Sequence, residues 1–159
     1  MQKTIVSFII PLAFFYFSCY GQTGEIITSF KKEYPKGTLF IIGGGDRDSN
    51  LMQELIEVSN YKPGDIIAVV TMASGWGDSA YIWLNDEFKA LGKTNKNCIK
   101  VDSITVKNPV TLDSLLMAKI IFLSGGDQSV LMKHISGTEF KKKIQKAFWN
   151  GSTIAGTSA

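Results

Sequence analysis

Gly156-Thr157-Ser158-Ala159 follows the apolar run Thr153-Ile154-Ala155, so the pattern predicts a strand that breaks onto a serine. Small residues on both sides of a serine permit the strained turn of a nucleophile elbow. That turn lifts the hydroxyl above a sheet and leaves the next backbone N–H free for an oxyanion. A serine in this place could instead be a cap or a turn residue. The preceding strand and the flanking Gly156 and Ala159 favour the nucleophile, so Ser158 is the candidate. The closing glycine of a full Gly-x-Ser-x-Gly pattern and any later acid and histidine would have to lie beyond Ala159.

Other residues offer weaker chemistry. Gly43-Gly44-Gly45 could bring backbone N–H groups to a phosphate. However, a dinucleotide loop would need glycine where Asp48 stands, and a phosphate loop would need a Gly-Lys-Ser/Thr ending. A tight turn with positive φ is the better reading. Asp46, Asp48, Asn50 and Glu57 mimic calcium-loop spacing, but Leu51 occupies the glycine position and a strand precedes the loop, which excludes calcium. The two aspartates read as solvated loop charges or as a rim for a basic group. His134 is the only histidine, two turns into a predicted helix beside Leu131 and Ile135, and reads as structural rather than as a base for Ser158. Trp76, Tyr81 and Trp83 suit a groove wall and helix packing equally.

Composition narrows the classes. The chain has 159 residues, 45% of them hydrophobic, and carries a formal charge of +3 with its cations dispersed. That is enough for one domain with a sizeable core. It lacks the concentrated basic face that nucleic-acid binding requires, so no nucleic-acid partner is expected. Lys3 followed by the apolar stretch Ile5 to Phe17 has the form of an export signal, too short for a membrane anchor. Cleavage after Gly21 would release a soluble exported protein with no stable membrane span. Lipidation at Cys19 is the alternative, disfavoured by Tyr16 and Phe17. Removal of the leader leaves Cys98 alone, read as a small buried hydrophobe, so neither a disulfide nor a zinc site is expected.

The elements that must position Ser158 alternate regularly. After the leader (1–21), residues 22–36 read as a linker with a short helix around Glu25 to Lys32, and 37–159 as one α/β domain. Strands are predicted at Thr38 to Ile42, Asp65 to Thr71, Cys98 to Ile104, Ile120 to Leu123 and Thr153 to Ala155. Between them lie a helix carrying Leu51, Met52, Leu55, Ile56 and Val58, and a stripe of Ala80, Leu84, Phe88 and Leu91 ended by Gly92. A short helix capped by Asn108 or Thr111 follows, then two more over Gln128 to Ile135 and Thr138 to Asn150, the last closed by Gly151. Unbroken apolar strands joined through helices imply a three-layer, doubly wound, mostly parallel sheet of flavodoxin type. In such sheets ligands bind beyond the strand carboxyl ends, where Gly43 to Asp48, Ala73 to Asp78, Gly125 to Gln128 and Gly156 to Ala159 all fall.

Taken in order, Ile41-Ile42-Gly43-Gly44-Gly45, Val70-Thr71-Met72-Ala73-Ser74, Phe122-Leu123-Ser124-Gly125-Gly126-Asp127-Gln128, Gly137-Thr138 and Ile154-Ala155-Gly156-Thr157-Ser158-Ala159 resemble the cyanophycinase and dipeptidase E family of serine peptidases, peptidase family S51. The Gln after Gly-Gly-Asp is closer to the cyanophycinase branch. The resemblance implies a fold like the class I glutamine amidotransferases, with Ser158 in place of their cysteine. It implies an oxyanion hole from the N–H of Ala159 and one of the Gly125-Gly126 turn, taken as Gly126. Gln128, with Asp127, Gly44 and Gly45, would contact substrate. It implies aspartyl peptide or β-aspartyl-arginine isopeptide substrates, a small peptide or a cyanophycin-like polymer, with no cofactor and no metal. A homodimer is one assembly it allows. The family's base histidine and acid follow the nucleophile, so these 159 residues are expected to be an N-terminal portion that is inactive alone. The competing reading is a flavodoxin-like binding domain in which Ser158 is incidental. Glutamine amidotransfer is disfavoured, because Cys98 lies on another strand.

Overall fold

The computed structural model describes residues 33–93 and 97–157. Five strands, β1 (Thr38–Ile42), β2 (Ile67–Val70), β3 (Cys98–Val101), β4 (Ile120–Leu123) and β5 (Thr153–Thr157), alternate with α1 (Ser49–Val58), α2 (Gly77–Ala90), α3 (Pro109–Met117), α4 (Gln128–Ile135) and α5 (Glu139–Asn150). Local chemistry sets the helix ends. The Asp48 carboxylate accepts from Leu51 N–H at 2.8 Å to cap α1. Asn108 caps α3 through Val110 N–H at 2.9 Å, and Pro109 follows where a missing N–H costs nothing. Gly151, at φ 110°, ends α5 in the left-handed region.

All strand pairs are parallel, in the order β1-β5-β4-β2-β3. One face carries Ile42, Ile67, Val69, Ile120, Phe122 and Ala155 against Met52, Leu55 and Ile56 of α1 and Leu84 and Phe88 of α2. The other carries Ala68, Val70 and Ile121 against Leu115 of α3, Leu131 of α4, and Phe140 and Ala147 of α5. This is the expected three-layer, doubly wound parallel sheet. The helices change face where the chain reverses its direction across the sheet, as right-handed crossovers require. Phe122 and Phe88 meet edge to face, with centroids 6.4 Å apart. β1 forms one border of the sheet, and there Leu39 and Ile41 remain 60% and 84% exposed.

Strand lengths differ from the apolar runs for physical reasons. β2 starts at Ile67 rather than Asp65, because Asp65 closes the preceding turn by accepting from Lys62 N–H at 2.8 Å. β3 stops at Val101 rather than Ile104: the Asp102 carboxylate takes the N–H groups of Ile104 and Thr105 at 2.9 and 2.7 Å and turns the chain. β5 runs two residues past Ala155, because β1 offers partners as far as Ile42, opposite Thr157. No helix among the described residues is long and apolar enough to cross a membrane. The leader, the helix expected at Glu25 to Lys32, Ser158 and Ala159 lie outside the described residues.

Burial opposes ionisation of Asp102, but the hydrogen bonds from Thr105 N–H, the Lys100 ammonium, Ile104 N–H and the Thr105 hydroxyl outweigh it and hold the carboxyl well below its usual range. A carboxyl depressed on folding stabilises above its unfolded pKa, and that contribution fades as pH falls toward the folded value. Asp102→Asn should therefore be less stable than wild type at pH 7, with the gap narrowing below about pH 4. Urea unfolding of both proteins across pH 3–7 measures this, and a pH-independent gap would contradict it.

Candidate active site

Because β5 lies between β1 and β4, the loops leaving those two strands flank its carboxyl end. Register sets Thr157 beside Ile42 and Gly156 beside Leu123. The glycines after Ile42 lie on one side, and the Ser124–Asp127 loop lies on the other. Gly44 and Gly45 have φ of 117° and 86°, the positive-φ turn expected for them. Ser158, next in sequence after Thr157, and Ala159 lie outside the described residues.

The Ser124–Asp127 loop is fixed by its neighbour. Ser124 N–H donates to Val70 O and Asp127 N–H to Ala73 O, each at 2.9 Å. Between them Gly126 adopts φ 133°, and a Cβ there would collide with the Ala73 carbonyl. Among the described residues the N–H groups of Gly125 and Gly126 have no hydrogen-bond acceptor. The Asp127 carboxylate caps α4, taking Ser129 N–H at 2.7 Å and Val130 N–H at 3.3 Å. These bonds hold its pKa below the ordinary carboxylate value. Gln128 is the exposed first residue of α4.

The remaining candidates separate. Tyr81 packs inward and donates from its hydroxyl to Cys98 O at 2.9 Å. Trp76 is exposed at the start of α2, and Trp83 lines a cavity of about 200 Å³ with Gly45, Arg47, Ser124, Gly125 and Thr157. His134 lies in the last turn of α4, six residues from its start and so about 9 Å along the axis. Burial pushes the Cys98 thiol up to about 11, which leaves it protonated and inert. Among the described residues no three His, Cys, Asp or Glu side chains gather as a metal site.

Two features of the cavity had no local signal. Arg47 donates from Nε and Nη2 to the Glu87 carboxylate at 3.0 and 2.7 Å, across 40 residues of sequence. Its guanidinium lies 6.0 Å from the centroid of the Phe122 ring. The Ser124 hydroxyl is buried with no hydrogen-bond partner among the described residues. The glycines around these residues marked the loops, but neither the ion pair nor the orphan hydroxyl follows from residue spacing.

Comparison with known proteins bears on the family and the fold. The model of peptidase family S51 matches residues 39–159. No match is found among curated proteins. A crystal structure of a peptidase from an acI-B1 Actinobacterium is similar, with a TM-score of 0.61, 20% identity and coverage of 79% of this chain. At that identity the likeness speaks for the fold. The chain spans 55% of the length of that structure.

The wedged loop yields a direct expectation. Gly126→Ala places a Cβ on a backbone carbonyl at a φ that side chains avoid, and should cost about 2–4 kcal/mol. Chemical denaturation of wild type and variant measures the loss, and an unchanged midpoint would show that the loop is not wedged.

Proposed function

The chain belongs to peptidase family S51 over residues 39–159, and from that premise we propose that it is a cyanophycinase-like serine peptidase, cleaving aspartyl peptide or β-aspartyl-arginine isopeptide bonds through an acyl-enzyme on Ser158. One observation carries the reading. Two backbone N–H groups without acceptors among the described residues, at Gly125 and Gly126, are held beside the end of the strand that leads directly into a serine.

In this mechanism the Ser158 hydroxyl attacks the scissile carbonyl carbon while a base takes its proton. The carbonyl oxygen becomes an oxyanion held by the N–H groups of Gly126 and Ala159. Such preorganised donors are typically worth about 3 kcal/mol each, because they need no reorientation as charge develops. Collapse expels the amine, which takes the proton from the base, and water then hydrolyses the acyl-serine by the same route in reverse. Gln128, at the mouth of the loop, contacts the substrate, and Gly44 and Gly45 border it from the other side. Asp127 acts through its cap, which fixes where Gln128 begins. Acyl transfer of this kind calls for no metal or organic cofactor.

The base is the open part of the machinery. His134, the only histidine in the sequence, sits at the far end of α4 from the Ser124–Asp127 loop. We therefore expect the base and its acidic partner from beyond residue 159, and expect residues 1–159 alone not to turn over substrate. The apolar leader supports an exported protein.

A serine-reactive fluorophosphonate tests the assignment. The native protein should label covalently, and Ser158→Ala should reduce labelling by about a thousandfold or more. Mass spectrometry should place the adduct on the peptide containing Ser158. Equal labelling of the two would remove Ser158 as nucleophile and leave the flavodoxin-like binding domain as the reading.

A further inference from the structure

We propose that Arg47 and Glu87 form a latch that holds the glycine loop after β1 as a fixed wall of the candidate site, which makes them positioning residues for the reaction at Ser158. The role in the reaction rests on the peptidase reading, whereas the latch itself follows from how the loop is held. Gly43 to Asp46 are exposed, and a Cβ at Gly43 or Gly45 would meet no described atom within 4 Å. Among the described residues Gly44, Gly45 and Asp46 form no hydrogen bond. Consecutive glycines have the most conformational freedom to lose on ordering, and neither packing nor backbone bonding offsets that loss here. Such a segment is the first to loosen unless a group outside its own backbone ties it down.

Arg47 supplies that tie. Nε and Nη2 both donate to the Glu87 carboxylate, and the two side chains are only 20% and 28% exposed. A two-point fork fixes direction as well as distance, and shielding from solvent keeps it from being screened away. The pair spans 40 residues and joins a loop to α2. Lys89–Asp86 and Lys142–Glu139, by contrast, are exposed neighbours on single helices, the kind of pair that contributes little. Both partners of the latch also refer to one rigid frame. Glu87 precedes Phe88, which is wholly buried and meets the Phe122 ring edge to face, and the Arg47 guanidinium lies 6.0 Å from the centroid of that same ring. Phe122 stands on β4 two residues before the Ser124–Asp127 loop, so the latch sets the wall from β1 in one frame with the wall from β4.

A purely structural role, holding α1 to α2, fits less well. α1 buries Met52, Leu55 and Ile56 and carries its own Asp48 cap, so it is fixed without the ion pair. The residues with no other support are the glycines. Their place gives the latch its consequence: register sets Ile42 beside Thr157, and Gly45, Arg47 and Thr157 line the same cavity of about 200 Å³. An untied loop would let this wall shift beside the residue that precedes the nucleophile. A misplacement of about 1 Å at a reacting centre costs on the order of a hundredfold in rate.

The test is ¹⁵N relaxation of the full chain in wild type, Arg47→Met, Arg47→Lys and Glu87→Gln. The Gly44 and Gly45 amides should have order parameters near about 0.85 in wild type and below about 0.6 in Arg47→Met and Glu87→Gln, with the amides of α1 and of Gly126 unchanged. Arg47→Lys keeps the charge but not the fork and should fall between. Glu87→Gln keeps the side chain's shape, so the test remains decisive if Arg47→Met does not fold. A merely structural pair would lower the unfolding midpoint without loosening these two amides selectively. Glycines already mobile in wild type, or as ordered in both Arg47→Lys and Glu87→Gln as in wild type, would overturn the latch. The rate at which the fluorophosphonate labels Ser158 reads the role in the reaction. A loosened loop should slow labelling about tenfold or more, with Arg47→Lys recovering part of the loss in step with its order parameters. An undiminished rate with a loosened loop would overturn the positioning role. No labelling of wild type, with the glycines still ordered by the pair, would remove the peptidase reading and leave the latch standing.

Discussion

The hydrogen-bonded seat of β5 between β1 and β4 is the constraint on which the site depends. Thr153 N–H donates to Lys119 O at 2.9 Å, and from there the strand is paired on both sides, to Phe40 and Phe122 at Ala155. Ala155 is almost wholly buried between those two large rings, on the face covered by α1. A bulkier residue there would have to displace α1 or open the sheet, since close-packed interiors leave no spare volume. The small residue thus lets β5 take its place between β1 and β4, and that place sets its carboxyl end between two glycine loops.

Those loops are held by different forces. The Ser124–Asp127 turn is wedged against the backbone after β2, where only glycine fits at position 126. The loop after β1 is instead tied by charge, through Arg47 reaching Glu87 on α2. Both acidic residues at the ends of these loops, Asp48 and Asp127, direct a carboxylate oxygen at the N–H groups of a following helix. The helix dipoles therefore absorb part of the negative charge that would otherwise oppose an oxyanion or a carboxylate nearby.

Much of this was legible from residue order. Apolar runs identified the strands, most plainly β2 and β4, because a strand buried on both faces has no room for alternation; β1 keeps such a run although Leu39 and Ile41 are exposed at the border of the sheet, and β3 carries Lys100 within it. Caps and glycines set the helix ends within a residue or two: Asn108 rather than Thr111 began α3, because only Asn108 precedes Pro109 with its side chain free to reach Val110 N–H. Strand ends were less legible, since Asp102 and Asp65 divert the backbone through side-chain bonds that hydropathy does not register. The aromatic group Trp76, Tyr81 and Trp83 read as one cluster, yet a helix turns successive side chains by about 100°, so Tyr81 went to the core while Trp83 faced the cavity.

By itself, then, the sequence determined the parallel α/β architecture, the glycine loops at its carboxyl edge and a serine after the last strand, since each is written in contiguous residues through periodicity, steric allowance or capping. The tertiary structure alone decided that Gly126 abuts Ala73 and that Arg47 pairs with Glu87. These relations join residues tens of positions apart, and they exist only because strand order, which no local pattern encodes, brings their loops to the same edge of the sheet.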